Sequence, residues 1–207
     1  MAREVPLYLN SEATDMRCGN DISSHNQEIN TDLENFKRTD GLFSLCGLNC
    51  GLCGFRLQGN CNGCFNDSFC AVSCPRVPCS VRHGNLQYCF ECPEYPCKHY
   101  DDFDSYDALV LHRNQRKDMQ KAKDIGIDAY LAEQRCKVGL LDRLLNDYDD
   151  GQNLVFFCSA VNLFSVGDME SILDKTDIET TGKGLTKKRD HIVNALKAYA
   201  IANDIRL

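Results

Sequence analysis

The sequence predicts a mainly α-helical protein in which a small, irregular, cysteine-rich module precedes a helical bundle. Two observations predict this fold class. Eleven of the 14 cysteines lie between positions 46 and 97, in a stretch that contains many glycines and prolines and shows no sustained helical period. After residue 100 the chain contains no proline, and apolar residues recur at three- and four-residue steps, as on one face of a helix. We therefore predict three segments: a polar, weakly ordered arm (1–40), the cysteine-rich module (41–100) and the helical bundle (101–207).

Length, charge and hydropathy narrow the class of protein. The chain has 207 residues, of which 43% are hydrophobic, and a net charge of −7, so it can bury a core in one domain or two small ones. It has no apolar run of about 20 residues, which a membrane-spanning helix needs. Its first residues lack the apolar region of a secretory signal. We expect a cytoplasmic protein with no membrane contact, where clustered cysteines bind metal more often than they form disulfides.

The arm at residues 1–40 carries eight acidic and four basic side chains and few large apolar ones. A segment of this composition buries too little apolar surface to offset the entropy lost on ordering, so we predict that it is weakly ordered. One short apolar patch, VPLYL at positions 5–9, is a candidate for docking on the rest of the protein.

The module contains three pairs of cysteines with C-x-x-C spacing. Two intervening residues let the backbone turn so that both sulfurs face one ion, at the zinc–sulfur distance of about 2.3 Å. Gly51, Gly54 and Gly63 suit such turns, since glycine tolerates positive φ. The pairs are Cys50 and Cys53, Cys61 and Cys64, and Cys89 and Cys92. All eleven clustered cysteines are predicted metal ligands: Cys46, Cys50, Cys53, Cys61, Cys64, Cys70, Cys74, Cys79, Cys89, Cys92 and Cys97.

The number of cysteines also predicts the number of ions. A tetrahedral zinc site uses four ligands, so eight of the eleven cysteines would close two sites. A third site would need the remaining three and a histidine, His83 or His99. We expect two zinc ions per chain, and three if a histidine completes the last site. Disulfides are disfavoured, because eleven is an odd number and cysteines two residues apart rarely bridge in a structural framework.

An iron–sulfur cluster is the alternative cofactor. The C-x3-C-x2-C spacing from Cys46 to Cys53 is that of radical enzymes that use S-adenosylmethionine, but the α/β barrel that follows in those enzymes has no counterpart here. The run from Cys61 to Pro75 ends in C-x3-C-P like a bacterial ferredoxin, with a middle gap of five residues instead of two. C-x-x-C knuckles followed by distant partner pairs are more typical of zinc, which we favour.

Helix signals in the last segment are strong. We predict a helix that Gly126 terminates, a second that Asp128 caps, and a buried helix at NLVFFCSAVNLF (153–164). A short helix is expected from Asp168 to Leu173, and a final one with Thr186 as its cap, giving four or five helices. The second helix carries an apolar stripe of Tyr130, Leu131, Val138, Leu141, Leu144, Leu145 and Tyr148, and the last carries Ile192, Val193, Leu196 and Tyr199. We interpret both stripes as core.

Three cysteines stand apart from the cluster, namely Cys18, Cys136 and Cys158. Each is best explained without a metal, and Cys158, within an apolar run, is predicted to be a small buried hydrophobe. No phosphate-binding or dinucleotide-binding glycine motif occurs, and the five histidines are scattered, so no catalytic residue stands out. Nucleic-acid binding is disfavoured, since the metal segment is not basic and each zinc held by four thiolates adds two negative charges.

Four stretches together, LCGLNCGLC, CNGC, YCFECPEYPC and DDGQNLVFFCSAVNLF, resemble the domain of unknown function 3795, a family of small cysteine-rich proteins of bacteria and archaea. The resemblance runs from about Leu45 to the last helices and leaves out the arm. It implies zinc binding and a prokaryotic source, and no established activity. Cys70 and Cys74 look like additions of a subgroup. The cysteines that match the recurrent pattern are Cys46, Cys50, Cys53, Cys61, Cys64, Cys79, Cys89, Cys92 and Cys97.

The sequence therefore predicts a zinc-binding protein whose ions hold a glycine- and proline-rich segment folded, because metal-binding free energy becomes folding free energy. Its expected role is that of a binding adaptor for a protein partner; a role without enzymatic activity is favoured, and enzymatic activity stays open. The alternative is a redox or catalytic protein that uses an iron–sulfur cluster or a reactive thiolate.

Overall fold

The computed structural model of the chain describes residues 32–101, 103, 105, 107–108 and 110–207. In this part the protein is built from helices and connecting turns, without a strand, which confirms the predicted mainly α class. None of the described helices has the combined length and apolar character needed to span a bilayer. Most of the predicted arm, residues 1–31, lies outside the described residues. Its last part is helical at 32–35, and Phe36 is buried.

The cysteine-rich module consists of single helical turns joined by loops. It contains three short α-helices, at Gly54–Leu57, Phe69–Val72 and Arg76–Arg82, and three 3₁₀ turns, at Cys50–Leu52, Cys89–Glu91 and Lys98–Tyr100. The helix Phe69–Val72 begins at Ser68, whose hydroxyl accepts a hydrogen bond from the backbone N–H of Ala71 at 3.3 Å. Most cysteines of the module lie in these turns or close to them.

Five longer helices form the bundle. They are α1 (Gln115–Ile125), α2 (Ile127–Asp147), α3 (Leu154–Leu163), α4 (Val166–Thr180) and α5 (Leu185–Ala202). Helix α2 packs against α1, α3 and α4, and α4 packs against α5. Gly126 terminates α1 as predicted, with φ of +83°. The buried helix predicted around Cys158 is α3, and the predicted number of helices is confirmed.

Two predicted helix caps are wrong. Helix α2 begins at Ile127 and α5 at Leu185, so Asp128 and Thr186 lie in the first turns, and no side chain caps either helix. Helix α4 begins at Val166 and runs seven residues past the predicted end at Leu173. The second half of α4 is polar, so its sequence shows no apolar helical period. Thr176 and Thr180 are buried there because their hydroxyls donate to the backbone carbonyls four residues earlier, both at 2.8 Å.

Buried side chains form three clusters, and two of them join the module to the bundle. The main cluster contains fifteen buried residues. Fourteen lie in α2–α5 or directly after one of these helices, among them Leu141, Phe157 and Leu196, and the fifteenth is Leu52 of the module; Leu57 of the module packs against the cluster while partly buried. The aromatic cluster places Phe43 and Tyr88 of the module against α1 and the start of α2; its other members are Met119, Ala122, Tyr130 and Leu131. The module cluster contains Phe36, Leu45, Cys64, Ala71 and Val77. Packing is thus continuous across residue 100, while the predicted domain boundaries stay a prediction.

A buried polar network anchors the module loop between Cys46 and Cys50. The side-chain amide of Asn49 donates to Asp118 of α1 and to Asn162 of α3, each at 2.9 Å. The Tyr130 hydroxyl of α2 donates to Asn49 Oδ1 at 2.9 Å. The Lys137 ammonium, also on α2, donates to the Asn162 carbonyl at 2.9 Å. One side chain between two predicted ligands therefore bonds to three helices of the bundle.

Candidate metal sites

The eleven clustered cysteines lie around two separate pockets. One cavity, of about 70 Å³, is lined by seven of them. The other, of about 30 Å³, is lined by four. The seven-cysteine pocket contains Cys46, Cys50, Cys53, Cys61, Cys64, Cys70 and Cys74. The four-cysteine pocket contains Cys79, Cys89, Cys92 and Cys97. All eleven predicted ligands are therefore accounted for, and none lines both pockets.

A tight turn presents the first sulfurs of the seven-cysteine pocket. Gly47 has φ of +91°, and a side chain there would overlap Met119 of α1, so only glycine fits. The Ser44 hydroxyl accepts from the Leu48 N–H at 2.7 Å and lies 3.2 Å from the sulfur of Cys46. The Ser44 hydroxyl therefore both closes the turn and contacts the Cys46 thiol.

The turn between Cys61 and Cys64 has the glycine conformation predicted for a C-x-x-C turn. Gly63 has φ of +109°, and a Cβ there would lie 2.8 Å from the Gly41 carbonyl oxygen. Its N–H donates to the Cys61 sulfur at 3.4 Å, a bond that stabilises a thiolate. The role predicted for Gly51 and Gly54 is wrong, because neither has positive φ. Gly51 is closely packed instead, since a Cβ there would lie 3.0 Å from Leu42 and 3.1 Å from Val138.

Cys70 and Cys74 complete the seven-cysteine pocket. Cys70 lies on the short helix Phe69–Val72, and Cys74 lies between that helix and Arg76–Arg82. The two cysteines that have no counterpart in the sequence resemblance therefore line the same cavity as the five that do. Fold, not sequence spacing, brings them there.

The four-cysteine pocket is assembled from one short helix and two 3₁₀ turns. Cys79 lies on the helix Arg76–Arg82, Cys89 starts one 3₁₀ turn, Cys92 follows it, and Cys97 precedes the next. The Glu91 carboxylate closes the turn at Cys89 by accepting from the N–H groups of Gln87 and Tyr88, at 2.9 and 3.1 Å.

Two histidines line the four-cysteine pocket as well. His83 Nδ1 lies 3.7 Å from the Cys79 sulfur and 2.8 Å from the Cys79 carbonyl oxygen. His99 lies in the turn Lys98–Tyr100. The sequence makes each a candidate ligand of a third ion together with three cysteines. In the structure both lie beside a pocket that already contains four cysteine sulfurs.

Burial governs the protonation of these thiols. It raises the pKa of Cys46, Cys50, Cys70 and Cys79, and the charges of neighbouring cysteines raise each of them further. Burial also raises the pKa of Cys89 to about 12. A thiolate at any of these five cysteines is therefore unfavourable unless a cation compensates its charge.

Arg76 supplies one such cation between the pockets. Its guanidinium is buried, lies 4.0 Å from the ring centre of Phe103, and donates to the His99 carbonyl. It interacts with the charges of Cys46 and Cys74 in one pocket and of Cys89 in the other. Among the described residues its Nε has no hydrogen-bond acceptor. A buried guanidinium with an unpaired N–H donor is stabilised when negatively charged thiolates lie nearby.

Arg38 has a similar place beside the seven-cysteine pocket. Its charge acts on Cys64, it stacks over the Tyr88 ring at 4.6 Å, and it donates to the Phe43 carbonyl at 2.8 Å. Its Nε and one terminal nitrogen are buried without a hydrogen-bond partner in the described part of the chain. The sequence does not reveal the position of either arginine, because no spacing rule links an arginine to a distant sulfur.

The donor chemistry fits a thiophilic cation, although the ligands are not drawn together. The thirteen described cysteines are thiols, so none is consumed by a disulfide. As the side chains are placed, no group of three or more histidine, cysteine, aspartate or glutamate residues in the described part of the chain is arranged to hold a metal ion. Metal binding would therefore require the thiols of each pocket to converge, which is the usual coupling of ligation to folding.

The isolated cysteines differ from the clustered ones. Cys158 is buried in α3, as predicted, and burial raises its pKa to about 12. Cys136 is exposed on α2 and lines neither pocket. Cys18 lies outside the described residues.

No family model, curated protein or solved structure matches this chain. The resemblance to the domain of unknown function 3795 thus stays a prediction that rests on the quoted motifs. The two pockets are therefore the features from which a function can be inferred.

Proposed function

We propose that this chain is a zinc-binding protein whose ions stabilise the cysteine-rich module. The observation that carries the proposal is the division of eleven cysteines between two pockets, each with at least the four sulfurs of a tetrahedral site. Zinc bound by four thiolates would supply the module with stability that its short helices and loops lack. Cys79, Cys89, Cys92 and Cys97 would form one complete site without a histidine.

Two further features support a closed, structural type of site. The N–H of Gly63 and the hydroxyl of Ser44 contact sulfurs of the seven-cysteine pocket, as outer groups around a metal site orient its ligands. Buried Arg76 and half-buried Arg38 offset the negative charge of a zinc–thiolate site.

Metal analysis of single variants tests the proposal. Protein purified under reducing conditions without chelator should contain zinc in at least two equivalents per chain, measured by elemental analysis. Cys92→Ser should lower the zinc content by about one equivalent. The matched control is Cys136→Ser, which changes an exposed cysteine outside both pockets and should leave the content unchanged. Equal loss from both variants, or less than one metal per chain in the parent protein, would refute the assignment.

One observation favours the second candidate, an iron–sulfur protein of the redox class. Cys46, Cys50 and Cys53, which have the C-x3-C-x2-C spacing of a cluster motif, all line the same pocket together with four further sulfurs. Protein prepared without oxygen distinguishes the two cofactors. Zinc protein is colourless, whereas a cluster gives a brown protein that contains iron and acid-labile sulfide.

The adaptor role remains a prediction from the sequence. The helix that carries Cys70 also exposes Phe69 and Val72, which are 66% and 55% accessible. If the module binds a protein, Phe69→Ser should weaken the complex without altering the zinc content, as measured by calorimetry with a candidate partner and by elemental analysis.

A further inference from the structure

A groove of about 460 Å³ borders both cysteine pockets. Cys74 lines this groove and the seven-cysteine pocket, and His99 lines the groove and the four-cysteine pocket. Clefts of about 300–1,000 Å³ are the size at which proteins bind ligands. Val72 lines the groove and is 55% exposed, so apolar surface is available there to an occupant. The apolar lining consists of Leu33, Ala71, Val72, Pro75, Val77 and Pro78.

Two exposed cations, Arg82 and Lys98, also line the groove. The Asp32 carboxylate, which belongs to the predicted arm, accepts a hydrogen bond from Arg82 Nη1 at 3.2 Å. One acidic side chain of the arm is therefore already paired at the groove. An apolar segment with acidic neighbours would complement both the apolar lining and the two cations.

The last part of the arm is fastened to the module just before it reaches this groove. The backbone N–H groups of Lys37 and Thr39 donate to side-chain oxygens of the module, that of Asn85 at 3.2 Å and that of Gln87 at 3.0 Å, respectively. The side-chain amides of Asn85 and Gln87 donate in return to the carbonyls of Asn35 and Lys37, both at 2.8 Å. Four hydrogen bonds thus fix the direction in which the arm meets the module.

We propose that the apolar patch VPLYL, at positions 5–9 of the same chain, occupies this groove. The chain enters the groove at Asp32 and Leu33, so the residues that precede them start at its edge. Within positions 1–31 this patch is the one run of more than two apolar residues, and acidic side chains outnumber basic ones by five to two. The inference does not depend on the proposed zinc binding and goes beyond it.

Chain length and tethering both permit this contact. The 22 residues between the patch and Asp32 can span up to about 70 Å when extended, because each contributes about 3.3 Å. Attachment to the edge of the groove gives the patch an effective concentration of about 1 mM. A dissociation constant of about 1 mM would therefore fill half of the grooves, so a few apolar contacts suffice.

Tryptophan fluorescence of the full chain tests the docking. The chain contains no tryptophan, so Tyr8→Trp introduces a single reporter inside the patch. Its emission should lie at shorter wavelength than in a synthetic peptide of residues 1–31 with the same substitution, because burial removes the ring from water. Acrylamide should also quench the reporter less in the full chain than in the peptide.

Two variants, each combined with the reporter, locate the site. Val72→Asp places an unpaired carboxylate against the patch, so it should lower the docked-to-free ratio by about tenfold or more and move the emission towards that of the peptide. The matched control is Phe69→Asp, which alters an exposed side chain of the same short helix outside the groove and should leave the emission unchanged. Helical circular dichroism verifies that both variants are folded.

A cross-link in the unsubstituted chain tests the site even where Val72→Asp fails to fold: a zero-length carbodiimide cross-link should join Lys98 to Glu4 or Glu12. A reporter that emits as in the free peptide would show that the patch is not docked. Equal effects of Val72→Asp and Phe69→Asp, or absence of the Lys98 cross-link, would overturn this groove as the site. A shift that increases with protein concentration, together with dimers in ultracentrifugation, would overturn docking within one chain and assign the groove to the arm of a second copy.

Discussion

Removal of metal should unfold the chain unevenly, in a pattern set by which module side chains pack on which helix. Without metal the module is expected to unfold, which withdraws Phe43 and Tyr88 from the aromatic cluster. These two rings, 0% and 3% exposed, are its contacts with α1 and the start of α2. The main cluster loses one fully buried side chain of fifteen, that of Leu52.

The size of the effect follows from these burials. Full burial of a large apolar side chain stabilises by about 1.5–3 kcal/mol, so the loss of two rings destabilises the aromatic cluster by about 3–6 kcal/mol. At about 1.4 kcal/mol for each factor of ten, this is about a 10²–10⁴-fold loss of protection against amide exchange. Helices α3 to α5 lose Leu52 as their one fully buried side chain from the module, and this loss corresponds to about a tenfold to hundredfold loss of protection.

Hydrogen exchange detected by mass spectrometry measures both values in one experiment. Peptides from the module, α1 and α5 are compared before and after a strong chelator, with reductant present, and zinc is then restored as the control. The expected order of deprotection is module first, then α1 and the first turns of α2, then α5. Equal deprotection of α1 and α5 would refute the reasoning, since the two clusters would then unfold as one. An unchanged module would show that metal does not support its fold.

Three further predictions concern single side chains. Burial raises the pKa of Asp118 to about 6, so its stabilising contribution is complete below its unfolded pKa of about 4 and is lost as pH rises through about 6. In chemical denaturation, the free energy of unfolding of the parent minus that of Asp118→Asn should therefore fall by up to about 3 kcal/mol between about pH 4 and 7. A constant difference would contradict this. Gly63→Ala should lower the metal content of the seven-cysteine pocket, because φ at this position is positive and a Cβ would meet Gly41. The control Gly139→Ala lies on α2 with open space around it, so it should keep the metal and stabilise the protein by about 0.5–1 kcal/mol. Leu52→Ala should cost about 2–5 kcal/mol in thermal or urea unfolding followed by helical circular dichroism, and a change below 1 kcal/mol would show that the bundle does not use the module side chain.

The sequence by itself determined the helical class, the position of the bundle and the chemistry of the candidate ligands. These features depend on local information. The apolar period of α2 and α3 and the glycine that ends α1 are properties of neighbouring residues, so they are visible in the chain. The first residues of α2 and α5 could not be predicted from the sequence, because neither helix has a capping side chain and each begins where packing permits. The length of α4 was missed because two buried threonines satisfy their hydroxyls within the helix.

Only the tertiary structure decided which cysteines belong together. Spacing in the sequence predicts pairs of nearby cysteines, whereas the fold brings seven sulfurs to one pocket and four to another. The seven sulfurs come from positions 46 to 74 of the chain. It also placed Arg76 between the pockets and Asn49 among three helices of the bundle. The physical reason is that a thiol's neighbours are set by how turns stack on α1 and α2 through Phe43, Tyr88 and Leu52. Those contacts are between residues far apart in the chain, so no local pattern records them.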